Sequence, residues 1–272
     1  MEYNSEEEFL KAYNPNDYDR ISMTTDILLF SVSDITQDNY RKTNEKSMSI
    51  LLMKRKTYPF KDKWCVPGGF INVDEELEDC PKRILAEETN LHNIYMEQLY
   101  TFGGVNRDPR MRIVSTAYMA LIDKNNLKEK LSDNAEWFNI NYEEKGAAVK
   151  LTLTGLKDKI VIKAKKVLVN STSKQYTFEI TENETIAFDH AKVILTGLER
   201  LKNKVEYTDI VFNMMPNLFT LGELQKVYEA ILGKTLLMPA FRRIIANKVE
   251  KTEVIQTGGG HRPSALFKYK DR

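Results

Sequence analysis

Two adjacent glutamates stand where a helix should bury its face, and that conflict constrains this chain more than any other feature. Residues 76–90 carry a helical pattern that follows a Pro67-Gly68-Gly69 turn. At about 100° per residue, Leu77, Cys80, Ile84, Glu87, Glu88 and Leu91 fall within an arc of about 100°. Burying two uncompensated carboxylates would force protonation or carry a large desolvation cost. An arginine, a divalent metal or a water-filled cleft must compensate. Arg83 precedes Glu87 by one turn and is placed to pair with it. Gly68 and Gly69 allow a backbone carbonyl to come close. Paired carboxylates beside bare backbone suit Mg²⁺, which takes few protein oxygens along with those of a diphosphate. A helix lying along a polar cleft, with Glu87 and Glu88 solvated, satisfies the same spacing.

The remaining pattern is that of an α+β chain. Residues 6–12 read as a short helix, 25–32 and 48–54 as strands, and 33–46 as a polar loop between them. Residues 111–122 form another strand. Three stretches, 150–154, 159–169 and 175–181, alternate with period two between turn-like segments. They are expected as a β-meander within an insertion at about 143–182, an accessory unit needing a covering surface. A closing helix follows over 188–204, with Ala191, Ile194, Leu195, Leu198 and Leu201 on one side.

The C-terminal segment has its own signature. Residues 207–215 read as a short helix. Thr220 and Glu223 form a capping box that opens a helix ending at Gly233. Pro239 opens a second helix, expected over 239–250 with Phe241, Ile244, Ile245 and Val249 inward. Arg242, Arg243, Ala246 and Asn247 face outward, and Lys248 snorkels from the apolar side. Two short strands, 253–256 and 265–269, flank a glycine-rich tip carrying His261 and Arg262. Three helices and a glycine-tipped hairpin make a winged helix-turn-helix. Arginine, asparagine and a small alanine on the third helix suit base reading in a major groove. His261 and Arg262 suit phosphates or a minor groove. The chain's net charge is +1, yet residues 236–272 carry +5 and the rest −4. The expected boundary therefore falls between domains 1–204 and 205–272.

Other classes fall away. No apolar run approaches the roughly 20 residues of a membrane span, and the acidic N-terminal stretch has no secretory apolar core. Two cysteines, Cys65 and Cys80, make neither a disulfide framework nor a zinc site. The expected location is the cytoplasm.

Gly69, Glu75, Arg83, Leu85, Glu87, Glu88 and Leu91 resemble, at full spacing, the Nudix box G-x5-E-x7-R-E-U-x-E-E-x-G-U, with U apolar. The pattern is broken at Ile84, where a glutamate is usual, and at Asn90, where glycine is usual. Asn90 tolerates the left-handed conformation, whereas Ile84 removes a carboxylate. In that family glutamates hold Mg²⁺ or Mn²⁺ while water attacks a diphosphate. The resemblance makes Glu75, Arg83, Glu87 and Glu88 a degenerate catalytic set, with Glu87 and Glu88 the metal ligands if any metal binds. The segments around Arg107-Asp108-Pro109-Arg110-Met111-Arg112 and Tyr118 resemble ADP-ribose-type Nudix proteins, and most of all the Nudix-related transcriptional regulators. Phe188-Asp189-His190 and 219–233 extend that likeness over nearly the whole chain.

The resemblance implies a Nudix α/β/α sandwich that senses a small effector, followed by a winged helix that binds operator DNA. It implies ADP-ribose, an NAD-related nucleotide or a sugar as effector, no required cofactor, and a homodimer. Gly69, Arg107, Asp108, Arg110, Arg112 and Tyr118 are the expected ligand-binding residues. Arg242, Arg243, Asn247, Lys248, His261 and Arg262 are the expected DNA-binding residues. Three arginines near one strand suit a diphosphate, and salt bridges to nearby acids would use them equally well. The main rival is a Mg²⁺-dependent ADP-ribose pyrophosphatase. A third reading makes the C-terminal unit a protein-interaction module.

Overall fold

Strand β1 (Ser22–Asp34) is buried on both faces from Thr24 to Val32, so helices must cover it from two sides. The computed structural model describes residues 4–34, 45–123, 131–256 and 263–270. Helix α1 (Glu6–Ala12) precedes β1; its N-cap Ser5 accepts the Glu8 N–H at 3.1 Å. Strands β2 (Lys46–Lys54), β3 (Trp64–Cys65) and β4 (Gly68–Phe70) follow, and then helix α2 (Asp79–Thr89). Strands β5 (Tyr95–Phe102) and β6 (Ile113–Asp123) come next, then a run of four: β7 (Ala135–Lys145), β8 (Ala148–Thr154), β9 (Lys159–Asn170) and β10 (Gln175–Glu182). Helix α3 (His190–Lys204) closes this part of the chain.

The strands make one mixed sheet in the order β10-β9-β8-β7-β2-β1-β6-β5, with β3 against β2 and β4 against β1. Only the β1–β6 pair in that order is parallel. Side-chain alternation along β1 divides the core. Ile27 and Leu29 face Cys80, Ile84 and Leu85 of α2, while Leu28 and Phe30 face Ala191, Ile194 and Leu198 of α3. Gly197 lets α3 lie close: a Cβ there would meet Leu28 Cδ1 at 2.2 Å. The expected α/β/α layering is therefore present.

The expected three-strand meander is corrected in extent and attachment. It is a four-strand run beginning at Ala135, and β7 pairs with β2 at Ile50↔Phe138, joining the run to the main sheet. Leu151, Leu153, Ile160, Ile162 and Phe178 belong to the main core. Period-two alternation requires a cover for one face, and α3 contributes to it. Lys166 pairs with both Glu199 of α3 and Glu144 of β7 at 3.1 Å. Most of the expected 33–46 loop lies outside the described residues, and its two ends are strand.

The C-terminal unit contains a 3₁₀ turn (Ile210–Met214) where a helix over 207–215 was expected. Helices α4 (Leu221–Leu232) and α5 (Met238–Ile245) and strands β11 (Val249–Gln256) and β12 (Ser264–Tyr269) complete it. The Thr220–Glu223 capping box is formed in both directions, and Gly233 takes the left-handed cap. Phe219 and Phe267 exchange backbone hydrogen bonds at 3.0 and 2.8 Å, adding a third chain segment to the hairpin. Together these elements form a winged helix, as the sequence suggests. Helix α5 ends five residues earlier than expected because Val249 already belongs to β11. No helix among the described residues is long and apolar enough to cross a membrane.

Candidate functional site

Helix α2 starts at Asp79, so Pro81 lies in its first turn, where the missing N–H had no helical partner to lose. Its buried residues are Cys80, Pro81, Ile84, Leu85 and Thr89. That arc reaches farther toward Leu85 and Thr89 than the sequence suggests. Glu88 stays half-buried within it, and the Glu87 side chain is 60% exposed. Of the two arrangements the spacing allows, the polar cleft edge with solvated glutamates is the one found for Glu87. Arg83 does not pair mainly with Glu87, which lies 3.5 Å away. Its guanidinium forks onto Glu75 instead: Nε donates to Oε1 at 2.7 Å and Nη2 to Oε2 at 2.8 Å. Nη2 also donates to the Phe70 carbonyl at 3.2 Å. Hydrogen bonds from Arg83 and from the Asn72 N–H hold Glu75 down near about 2, against burial.

The donor set is smaller than an intact box supplies, because Ile84 brings no carboxylate beside Glu87 and Glu88. Both Glu75 oxygens are engaged by Arg83. Ile84 is 4% exposed and lies in the space beside Gly69, whose added Cβ would meet Ile84 Cδ1 at 3.1 Å. Among the described residues no three His, Cys, Asp or Glu side chains gather around a point where a metal could sit. Gly69 itself is committed to the sheet, paired with Thr25.

The arginines expected to bind ligand all have partners within the chain. Arg107 is buried, its side chain 6% exposed. Nε and Nη2 grip Asp189 at 3.0 and 2.7 Å, and Nη2 also reaches Asp26 Oδ2 at 3.0 Å. Ser115 donates to the same Asp26 oxygen at 2.7 Å. His190 is buried beside them: its Nδ1 accepts the Val66 N–H at 3.2 Å and its Nε2 lies 3.5 Å from Asp26 Oδ1. Burial pulls the imidazole below its usual range, more than Asp26 and Asp189 push it up. This network ties β1, β6 and the start of α3 together. Of the two uses the sequence leaves open for Arg107, the salt bridge to nearby acids is the one formed here, and it acts as an internal clamp. Arg112 donates to the Gly103 and Gly104 carbonyls at 2.8 Å. Tyr118 is likewise buried, its hydroxyl donating to the Leu77 carbonyl at 3.4 Å.

Arg110 is different. Asp108 holds it through two side-chain bonds of 3.0 and 2.8 Å and accepts its backbone N–H at 2.9 Å. Burial raises the Asp108 carboxyl, but those bonds bring it below its usual range. The Arg110 side chain remains 41% exposed, lying 5.3 Å from the Phe70 ring centre and 5.9 Å from that of Phe188. Arg55 lies 4.8 Å from the Phe188 ring, and Phe60 meets that ring edge-on at 4.8 Å. Sequence reasoning missed Asp26, Arg55, Phe60 and Phe70. The one available signal was an Asp inside the apolar run of β1.

At the other end, Phe241 and Ile245 anchor α5, while Arg242, Arg243, Ala246 and Asn247 are exposed. Ile244, expected inward, is 58% exposed, because the short helix turns only its 241/245 edge to the core. Lys248, expected to snorkel toward DNA, pairs with Asp209 at 2.6 Å within the chain. Asp209 also accepts from Tyr269 at 3.0 Å, and Phe212 stacks on Tyr269 at 4.4 Å. Lys204, at the end of α3, pairs with Glu97 of β5. A cleft of about 440 Å³ lies here, lined by Tyr95, Lys204, Asp209, Phe212 and Tyr269 among others. His261 and Arg262 lie outside the described residues.

Comparisons with known proteins agree with both halves of this geometry. Residues 39–151 match the NUDIX domain family, and residues 211–269 match the NrtR DNA-binding winged helix domain family. The chain is 32% identical to the "ADPR responsive transcriptional repressor NtrR" of Acinetobacter baylyi, over 99% of this chain and 90% of that one. A crystal structure of a MutT/nudix family protein from Enterococcus faecalis superposes with a TM-score of 0.71 at 27% identity, covering 98% of this chain and 94% of that one. Shewanella oneidensis NrtR, crystallised with a 27mer DNA, superposes at 0.64 and 28% identity, covering 91% and 93%.

Proposed function

Because this chain belongs to the family of Nudix-related transcriptional regulators, we propose that it is an ADP-ribose-responsive repressor that binds operator DNA as a homodimer in the cytoplasm. Residues 1–204 sense the effector and residues 205–272 bind DNA. The observation that carries the reading is the chain's whole-length likeness to a repressor named for its response to ADP-ribose. The site chemistry supports it. Both oxygens of Glu75 are engaged by Arg83, and Ile84 stands where a further carboxylate would be needed. Such a box retains the scaffold of a diphosphate site without the metal-held water that hydrolysis requires.

DNA reading falls to α5. Arg242 and Arg243 are exposed on a helix whose opposite edge is anchored by Phe241 and Ile245. Guanidinium groups suit guanine edges and phosphates, and Asn247 beyond the helix end suits adenine. A two-fold operator calls for two copies of the chain. Communication runs along α3, which begins at the Asp189–Arg107 clamp and ends at Lys204 beside the winged helix.

The test is retention of genomic DNA fragments on filters, with and without ADP-ribose, NAD⁺ or arabinose. A discrete set of fragments should be retained and then released by ADP-ribose. Retention that is indiscriminate, or indifferent to every effector, contradicts the proposal.

A further inference from the structure

One carboxylate grips the root of the wing from both sides. Asp209 Oδ1 pairs with Lys248 at 2.6 Å, and Oδ2 accepts from the Tyr269 hydroxyl at 3.0 Å. Lys248 stands in the turn between α5 and β11, and Tyr269 ends β12, paired with Val249 at the start of β11. The Lys248 carbonyl also accepts the Lys270 N–H at 3.1 Å. The exposed helix of the winged unit thus ends, and its wing begins, at the point Asp209 holds. The same carboxylate faces α4: burial, and after it the Asp209 charge, push the Tyr228 phenol up to about 12. The Tyr228 ring meets Phe241, the anchor of α5, edge-on at 5.3 Å.

On its other side Asp209 continues helix α3 with little slack. The Val205 N–H donates to the Leu201 carbonyl, and the Tyr207 and Thr208 N–H groups donate to the Lys204 carbonyl. The Thr208 hydroxyl donates to that carbonyl too, at 2.8 Å, and Val205 is buried. Lys204 itself is held to Glu97 of β5. Directly after Asp209 comes the 3₁₀ turn, whose Phe212 N–H donates to the Asp209 carbonyl at 3.1 Å and whose Phe212 ring stacks on Tyr269. Helix α3 and Asp209 therefore form one arm. The 440 Å³ cleft lies beside it, lined by Tyr95 and Lys204 from the sensor and by Asp209, Phe212 and Tyr269 from the winged helix. An open cleft at that seam leaves space for the arm to tilt.

We infer that Asp209 is the positioning residue that makes the angle of the DNA-reading elements follow helix α3. The inference rests on the effector-responsive reading above and adds the joint through which the response passes. A tilt of α3 carries Asp209, and Asp209 carries the end of α5 and the root of the wing through Lys248 and Tyr269. Charge-assisted hydrogen bonds fix direction as well as distance, whereas the apolar burial of the 3₁₀ turn is non-directional. Without the carboxylate the connection is a hinge, and the two sites lose the element that both must bias.

The readout is the coupling factor, the ratio of DNA affinities without and with saturating ADP-ribose, measured by fluorescence anisotropy on a retained DNA fragment with the full chain. Calorimetry of ADP-ribose and thermal melts accompany it. Wild-type protein should show a factor of at least about 5. Asp209→Asn keeps the size of the side chain and removes its charge; it should bring the factor to within about twofold of one and leave ADP-ribose affinity of the DNA-free protein within about twofold. Tyr269→Phe keeps the ring on Phe212 and removes one bond, so it should give an intermediate factor, and it carries the test should Asp209→Asn fail to fold. The exchanged pair Asp209→Lys/Lys248→Asp should recover coupling that Lys248→Met loses. Variants that melt lower yet couple as the wild type does make Asp209 a structural contact alone and overturn the inference. Wild-type protein without coupling overturns the effector-responsive reading and the inference with it.

Discussion

Replacing Arg107 by alanine tests whether this residue serves the fold or the ligand. The structure gives it three charge-assisted bonds, of 3.0, 2.7 and 3.0 Å, to two carboxylates. The Asp26 side chain is 6% exposed and that of Asp189 23%. Removing one partner from a buried ion pair costs about 3–5 kcal/mol, because the charge left behind has no compensation. Ser115 still donates to Asp26, which holds the expected loss toward the lower end of that range. At about 2–4 °C per kcal/mol for a chain of this size class, Arg107→Ala should melt roughly 6–20 °C lower. Urea unfolding of wild type, Arg107→Ala and the double variant Arg107→Ala/Asp189→Asn measures it. The double variant should recover part of the loss, since it removes one orphaned carboxylate. A loss below about 1 kcal/mol in Arg107→Ala, joined to a collapse of ADP-ribose affinity, would refute the clamp and return Arg107 to the ligand site; losses of that size are typical of exposed pairs.

Three further outcomes follow from the site. His190 takes up a proton less readily in the folded chain than its usual value of 6.5 because it is buried. Its stabilising contribution is therefore complete above about pH 6.5 and declines as pH falls below that, where the unfolded chain protonates first; His190→Gln should flatten urea midpoints between about pH 7 and 5, and an unchanged slope contradicts the assignment. With Mg²⁺ or Mn²⁺, ADP-ribose hydrolysis should run at least about 10²-fold below an enzyme with an intact box; Ile84→Glu should destabilise the chain instead of restoring turnover, because position 84 is 4% exposed. Turnover near about 10 s⁻¹ would favour the hydrolase. Arg243→Ala should weaken DNA binding with little change in melting, whereas Lys248→Ala should lower the melting temperature through loss of the 2.6 Å pair with Asp209; thermal melts and filter binding separate the two.

Much of this architecture was legible because its signals are local. The Thr220–Glu223 capping box and the Gly233 stop lie within one helix. The alternation in 150–154, 159–169 and 175–181 marks β8, β9 and β10 almost to the residue. Signals that join distant segments were not legible. Arg107 finds Asp26 and Asp189 across 81 and 82 positions, so nothing near it in sequence distinguishes a clamp from a ligand cation. The sequence pattern extends helix α5 past its end because Phe241, Ile245 and Val249 keep a four-residue spacing that helix and following strand share. The attachment of β7 to β2 depends on which edge is free, and alternation within a strand carries no such information. The sign of φ at Phe60 and Phe188 leaves no trace in residue type, since phenylalanine is among the last residues expected there.

The central claim is that one chain couples a nucleotide at the Nudix fold to DNA at the winged helix, and thermodynamic linkage tests it most directly. ADP-ribose is titrated calorimetrically into the protein alone and into its complex with a retained DNA fragment, and DNA affinity is measured with and without saturating ADP-ribose. The account predicts that DNA weakens ADP-ribose by the same factor by which ADP-ribose weakens DNA, within the usual range of about 5–150-fold. Equal ADP-ribose affinity in the two titrations would mean that the two domains act independently, and would contradict it.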